Sequence, residues 1–220
     1  MDVVEAIRHR WACRAFLDTP IPDETIRHIL GLASWAPSGV NSQPWQVAVV
    51  RGQTRQTITK ALIAARAQGE PSPDYAYYPD EWVEPFKSRR IVCGKAIYGA
   101  LGINRGDKQA QQTAWENNYR FFGAPVALFI FISKAMNKGS WVDIGMFLQN
   151  IMLAACESGL ASCPQASVAD YPDQVREILN IESELALVCG ISLGYPDTNH
   201  PVNKYRLPRE PVESFSHWYD

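Results

Sequence analysis

The chain has 220 residues, of which 46% are hydrophobic and 20% charged, and a formal net charge of -2. That is the balance of a soluble globular protein long enough for a real core, and it provides no overall field to attract nucleic acid or an acidic membrane surface. Five cysteines without a C-x-x-C pair, together with four scattered histidines, support neither zinc nor a Cys–His nucleophilic pair.

The opening "MDVVEAIRHR" lacks the apolar stretch of a secretory leader. It places Val3, Val4 and Ile7 on one helical face, with Asp2 able to cap the start. From Pro22 onward, Ile26, Ile29, Leu30 and Ala33 fall at i, i+3, i+4 and i+7, behind the helix-start residues of "DTPIPDE". "WQVAVV" is β-branched and reads as a strand, followed by a helix over about 54–67. Residues 69–86, "GEPSPDYAYYPDEWVEPF", are dense in proline and aromatic rings. They predict an ordered excursion rather than regular structure or a disordered linker.

Helical stretches follow near 87–104 and 107–121, then "APVALFIFIS" as a buried strand. That apolar stretch is too short to cross a bilayer as a helix, and a cytoplasmic protein is the expectation. "SWVDIGMFLQNIMLAACESG" predicts a long helix, apolar nearly all round and ending at Gly159, suited to burial or to a subunit interface. "SCPQAS" (162–167) reads as an irregular loop around Pro164, "YPDQVREILNI" as a short helix and "LALVCGISLG" as a buried strand. In the last of these the glycines of "GISLG" mark a turn leaving the sheet. The chain thus predicts an α+β sandwich in one domain over 1–220: a small sheet covered by helices, with an irregular tail over 195–220.

G-x-G-x-x-G, G-x-x-x-x-G-K-[ST] and G-x-S-x-G are all absent from the sequence, which leaves the usual dinucleotide fold, P-loop NTPases and α/β-hydrolases without support. Two basic clusters stand out instead: Arg8, Arg10 and Arg14 in "RHRWACRAF", and Lys204, Arg206 and Arg209 in "NKYRLPR". The planar fork of arginine suits bidentate phosphate binding, and clusters at opposite ends of a chain without excess positive charge invite one shared anion. Between them, "WAPSGVNSQPWQ" (35–46) holds four hydrogen-bonding side chains, Ser38, Asn41, Ser42 and Gln43, fenced by Trp35 and Trp45. The tryptophans are expected to anchor this loop in apolar packing.

Taken in order, Arg10, Arg14 and Phe16, then "APSGVNSQPW", "GLASCPQAS", "GYPD" and "KYRLP" resemble the flavin-dependent nitroreductase superfamily. The most specific of these is the P-S-x-x-N-x-Q-P-W core. The resemblance implies a three-layer α/β/α sandwich around a small, mostly antiparallel sheet, in an intertwined homodimer with FMN at each subunit interface. It implies that Arg10 and Arg206, with Lys204 assisting, hold the FMN phosphate, that Arg14 lies near flavin N1 and O2 or along the ribityl chain, and that Trp11 and Ala12 contribute backbone contacts. Pro37, Ser38 and Gly39 would reach the flavin from the partner subunit, with Asn41 behind them, and Pro164, Gln165 and Ala166 would line its face and edge near N5. Some nitroreductases carry an acidic residue followed by glycine beside N5. Ala166 and Ser167 stand there in this chain, which leaves substrate preference open.

The implied activity is hydride transfer from NADH or NADPH through flavin N5 to an electron-poor aromatic, a nitroaromatic or quinone, with ping-pong kinetics. The cofactor carries that chemistry, so neither a metal nor a catalytic side chain is expected. Dehalogenation, enone reduction or flavin fragmentation are alternatives within the family. A regulatory or storage protein that binds FMN without turnover is an alternative outside it. The aromatic stretch from Tyr75 to Phe86 is a candidate cover for the substrate side, and Arg89 and Arg90 could attract an acidic substituent.

Overall fold

The computed structural model describes residues 1–69 and 71–220. Helix α1 (Val3–His9) starts at a reciprocal cap. The Asp2 carboxylate accepts from the Glu5 N–H at 2.8 Å, and Glu5 accepts in return from the Asp2 N–H at 3.2 Å. In chain order there follow α2 (Asp23–Ala33), β1 (Trp45–Arg51), α3 (Gly52–Gln68), α4 (Phe86–Ala100), α5 (Lys108–Glu116), β2 (Val126–Ser133), α6 (Lys138–Glu157), β3 (Ala161–Gln165), α7 (Pro172–Leu179) and β4 (Leu185–Gly194). The four strands form one antiparallel sheet in the order β1-β2-β4-β3.

Strands β2 and β4 sit in the middle and are buried along nearly their whole length, so they read as continuous apolar runs with both faces covered. Successive side chains point to opposite faces. Val126, Leu128, Ile130 and Ile132 of β2 join the core beneath α2 and α6, while Ala127, Phe129 and Phe131 join the core beneath α3 and α7. The result is the three-layer α/β/α sandwich. In the first core Trp45 stacks on Phe147 of α6, with ring centroids 4.6 Å apart and planes 4° from parallel.

Four details differ from the sequence reading. First, 162–165 is not an irregular loop but part of edge strand β3, Pro164 included. The Ser162 carbonyl accepts from the Cys13 N–H at 3.0 Å on the side away from β4. By alternation the missing N–H of Pro164 also faces that side, so the ladder to β4 loses nothing. Second, the glycines of "GISLG" lie inside β4 rather than at a turn. A Cβ at Gly190 would come within 2.7 Å of Val168 Cγ2, and one at Gly194 within 2.8 Å of Pro125 Cδ. Gly190→Ala is therefore expected to destabilise the fold by about 1–3 kcal/mol through overpacking, read as a lower melting temperature in thermal denaturation.

Third, α5 stops at Glu116 rather than near 121. The Asn118 amide donates to the Trp115 carbonyl at 2.7 Å, a local bond that competes with helix continuation, and Phe121 and Phe122 both turn to positive φ (53°). Fourth, Trp45 packs as expected but Trp35 does not. It follows the end of α2 with 85% of its surface exposed.

Residues 71–85 contain neither helix nor strand, yet their first part is pinned to the sheet. Strand β3 pairs only with the Gly190–Gly194 half of β4, and Asp74 and Tyr75 serve the other half. The Leu187 N–H donates to Asp74 Oδ2 at 2.9 Å and the Tyr75 hydroxyl donates to the Val188 carbonyl at 2.6 Å. Arg176 of α7 grips the same carboxylate with both terminal nitrogens, at 2.6 and 3.2 Å, and also donates to Asp173 at 2.6 Å. Further along, Tyr75, Tyr77, Tyr78 and Trp82 form a chain of ring contacts 4.7–6.3 Å apart, continued by the Arg90 guanidinium 5.2 Å over Trp82. Helix α4, which follows, has no buried residue.

Candidate functional site

The cationic cleft is built where the two ends of the chain meet. After α1 the backbone extends and docks along β3: Ala12 makes a parallel bridge with Ser162, and Phe16 an antiparallel one with Pro196. This carries Arg14 alongside Pro164. The segment following β4 returns to the same place. The Leu17 N–H donates to the Tyr195 carbonyl at 2.9 Å, and the Asp197 N–H to the Ala15 carbonyl at 3.0 Å.

Between them opens a cleft of about 650 Å³ whose lining includes Arg8, Arg10, Trp11, Ala12, Arg14, Tyr205, Arg206 and Arg209, with Gln149 of α6 and Cys93 of α4. Among the described residues none of the five lining arginines forms an ion pair. Five guanidiniums without a carboxylate make a site for a multiply charged anion.

The arginines are held in place. Arg206 lies over the Trp11 ring, 4.3 Å from its centroid, a cation–π contact, and donates to the Asn203 and Tyr205 carbonyls at 2.7 and 2.8 Å. Arg14 donates to the Tyr205 hydroxyl at 2.9 Å and to the Ala12 carbonyl at 3.3 Å. Burial pushes the Tyr205 phenol up against the opposing pull of Arg14, so it remains a neutral acceptor for the guanidinium. The Trp11 indole nitrogen is buried without a protein partner and leaves a donor on a cleft-lining residue.

Three of the buried cysteines are poor nucleophiles. Burial pushes the Cys13 and Cys163 thiols up to about 11 and that of Cys189 to about 12, well above neutrality.

Of the predicted residues, the cleft thus brings together Arg10, Trp11, Ala12, Arg14 and Arg206. Lys204 is exposed and does not line it. Pro164 and Gln165 lie on β3 and Ala166 opens the 3-10 turn that follows it, and none of the three lines the cleft. The Gln165 amide is engaged inward, donating to the Asn118 carbonyl at 2.6 Å and accepting from the Ser192 hydroxyl at 2.5 Å. The side chain is thus committed to the interior, and the backbone of Gln165 faces its pairing partner Gly190 on β4.

Pro37, Ser38, Gly39 and Asn41 lie elsewhere. The Gly39 N–H donates to the buried carboxylate of Asp143 at 3.2 Å, and Ser38 Oγ accepts from the Gln43 N–H at 3.0 Å. Asp143 lies near the start of α6, whereas the cleft meets that helix at Gln149, about 9 Å further along its axis at 1.5 Å per residue. Val40, Asn41 and Gln43 all hold positive φ, at 48°, 57° and 48°. For the β-branched Val40 this is a strained conformation, and its side chain is fully exposed.

Sequence reasoning missed Asn203, Tyr205 and Gln149. The first two adjoin Lys204 and Arg206, and the only available signal was a polar and an aromatic residue inside a basic run.

A helix-flanked antiparallel sheet with an arginine-lined anion cleft defines the class. The nitroreductase family model matches residues 7–195, and the chain belongs to that family. It is 38% identical over 218 residues to a 4-nitrobenzoate reductase of Pseudomonas putida, covering 99% of this chain and 95% of the relative. Among solved structures, the FMN and NADPH-dependent nitroreductase NfnB of a Sphigopyxis strain superposes with a TM-score of 0.97 at 39% identity, over 100% of both chains. The FMN-dependent NfnB of Mycobacterium smegmatis, in complex with NADPH, gives 0.94 at 35% identity, covering 99% of this chain and 97% of that one.

Proposed function

We propose that the chain is a cytoplasmic, homodimeric FMN oxidoreductase that passes reducing equivalents from a nicotinamide cofactor to nitroaromatic or quinone substrates by a ping-pong mechanism. The observation that carries this reading is the convergence of five unpaired arginines, from two segments nearly 200 residues apart, on one cleft. FMN fits it: the phosphate meets Arg10 and Arg206, and the unpartnered Trp11 nitrogen and the Ala12 backbone contact the same ligand. Lys204, outside the cleft, adds only a peripheral charge.

Bound FMN supplies the two-electron chemistry. The protein binds, orients and shields it, with Arg14 as a fixed cation held by Tyr205. NADPH is the expected donor, because it is the one named for the NfnB structures of near-complete overlap. The five free thiols accord with a reducing compartment.

A second copy completes the site. Val40 and Val142 are exposed on either side of the Gly39–Asp143 bond, with exposed Trp35 at the start of the same loop. An apolar surface of this kind, beside polar backbone, marks an interface. Covering it would bring Pro37, Ser38, Gly39 and Asn41 of one copy towards the cleft of the other.

The purified protein is expected to be yellow, to release FMN on heating, to sediment as a dimer, and to oxidise NADPH when 4-nitrobenzoate or a quinone is present, with parallel double-reciprocal plots. A colourless single subunit that takes up no FMN would overturn the reading.

A further inference from the structure

We propose that Asn203 is the positioning residue that makes the cleft selective for a phosphorylated flavin, an inference that rests on the FMN reading above. Asn203 is 5% exposed, and its side-chain groups all have partners in the two segments that form the cleft. Its Oδ1 accepts from the Arg14 N–H at 2.9 Å, and its Nδ2 donates to the Ala15 carbonyl and to the Asp197 carbonyl, both at 2.8 Å. The orientation of the amide is fixed by chemistry: a backbone N–H requires the oxygen, and two carbonyls require the nitrogen. Its own carbonyl accepts from Arg206 at 2.7 Å.

One residue, 189 positions from Arg14, therefore ties the backbone there to the guanidinium of Arg206. Each arginine alone sits on a segment without helix or strand around it, where an unfixed side chain would lose affinity to ordering. Asn203 removes that freedom before any ligand arrives. It does not itself line the cleft, so it acts through the two arginines: through Arg206 on the phosphate, and through Arg14 on the part of the ligand that riboflavin shares. Riboflavin, which is FMN without the phosphate, reports everything except the Arg206 contribution.

The test is to titrate the full-length wild type and Asn203→Ala with FMN and with riboflavin, following flavin fluorescence, and to compare the ratio of the two affinities. Wild type is expected to prefer FMN. In Asn203→Ala, FMN should weaken about tenfold or more and riboflavin several-fold less, since a lost buried hydrogen-bond clasp acts at that scale. Equal weakening of both flavins, or an unchanged ratio, would overturn the proposal and leave Asn203 a purely structural residue. Should Asn203→Ala not fold, Asn203→Asp is of equal size and keeps the Arg14 bond while setting a carboxylate against two carbonyls, so it gives the same reading. If wild type itself does not distinguish FMN from riboflavin, the phosphate assignment fails, whatever the variants do.

Discussion

Asp74→Ala is expected to lower the stability of the fold by about 3–5 kcal/mol, because it removes one partner of a buried ion pair and leaves the other uncompensated. The side chains of Asp74 and Arg176 are only 6% and 9% exposed. The remaining charged partner of Arg176, Asp173, is 75% exposed and too well solvated to replace Asp74. The substitution also strips the Leu187 N–H of its acceptor, a further cost for a buried donor. At about 2–4 °C per kcal/mol for a chain of this size, the melting temperature should fall by roughly 6–20 °C. The double variant Asp74→Ala/Arg176→Met should recover part of the loss, since the stranded guanidinium is what costs most. A double variant as unstable as the single would show that the sheet-edge bond, not the charge, dominates.

The same pair fixes an acid limb. Burial alone would raise the Asp74 carboxyl, but Arg176, the Leu187 N–H and Lys134 together hold it below the ordinary aspartate value. A depressed carboxyl contributes stability that is complete above the unfolded value, near about 3.9, and is lost as the pH falls through the lower folded value. The wild type should therefore lose more stability on acidification below that point than Asp74→Ala does.

Arg206→Ala should weaken FMN binding by roughly 1.5–3 kcal/mol, the range of a lost charge-assisted hydrogen bond, or about 10- to 150-fold in dissociation constant. The substitution also uncovers the Trp11 ring. Riboflavin affinity should hardly move, and the FMN affinity of wild type should fall as salt is added while that of the variant falls less. Retention of FMN at wild-type affinity would remove Arg206 from the phosphate site.

Much of this architecture was legible because it rests on local pattern. Ile26, Ile29, Leu30 and Ala33 predicted α2 through their spacing, and the apolar run over 126–133 predicted a doubly covered strand. What failed did so for identifiable reasons. Strand β3 was hidden because serine, proline and glutamine have the composition of a loop, and only the direction in which Pro164 turns its nitrogen makes it tolerable. Gly190 and Gly194 signal a turn in most contexts, whereas here they make room for Val168, Pro125 and Phe16. Trp35 carries no local mark to distinguish it from Trp45, and which of them is covered depends on the surrounding surface.

The candidate site was half legible. The arginines showed as clusters, and their convergence followed from chemistry, but Asn203 and Tyr205 matter only through partners almost the whole chain away. Asp74, in a proline-rich stretch, carries no local mark of its role, because its partners lie on α7 and β4 more than a hundred positions later.

The docking of the first arm against the segment that follows β4 has a consequence for biogenesis. Synthesis runs from the amino end, so Arg10 and Arg14 emerge nearly 200 residues before Arg206. Nothing resembling the finished cradle exists on a nascent chain, and closure over so long a span is slow to nucleate. Flavin loading thus belongs after the segment that follows β4 has emerged from the ribosome, and the empty form is what chaperones and proteases meet first.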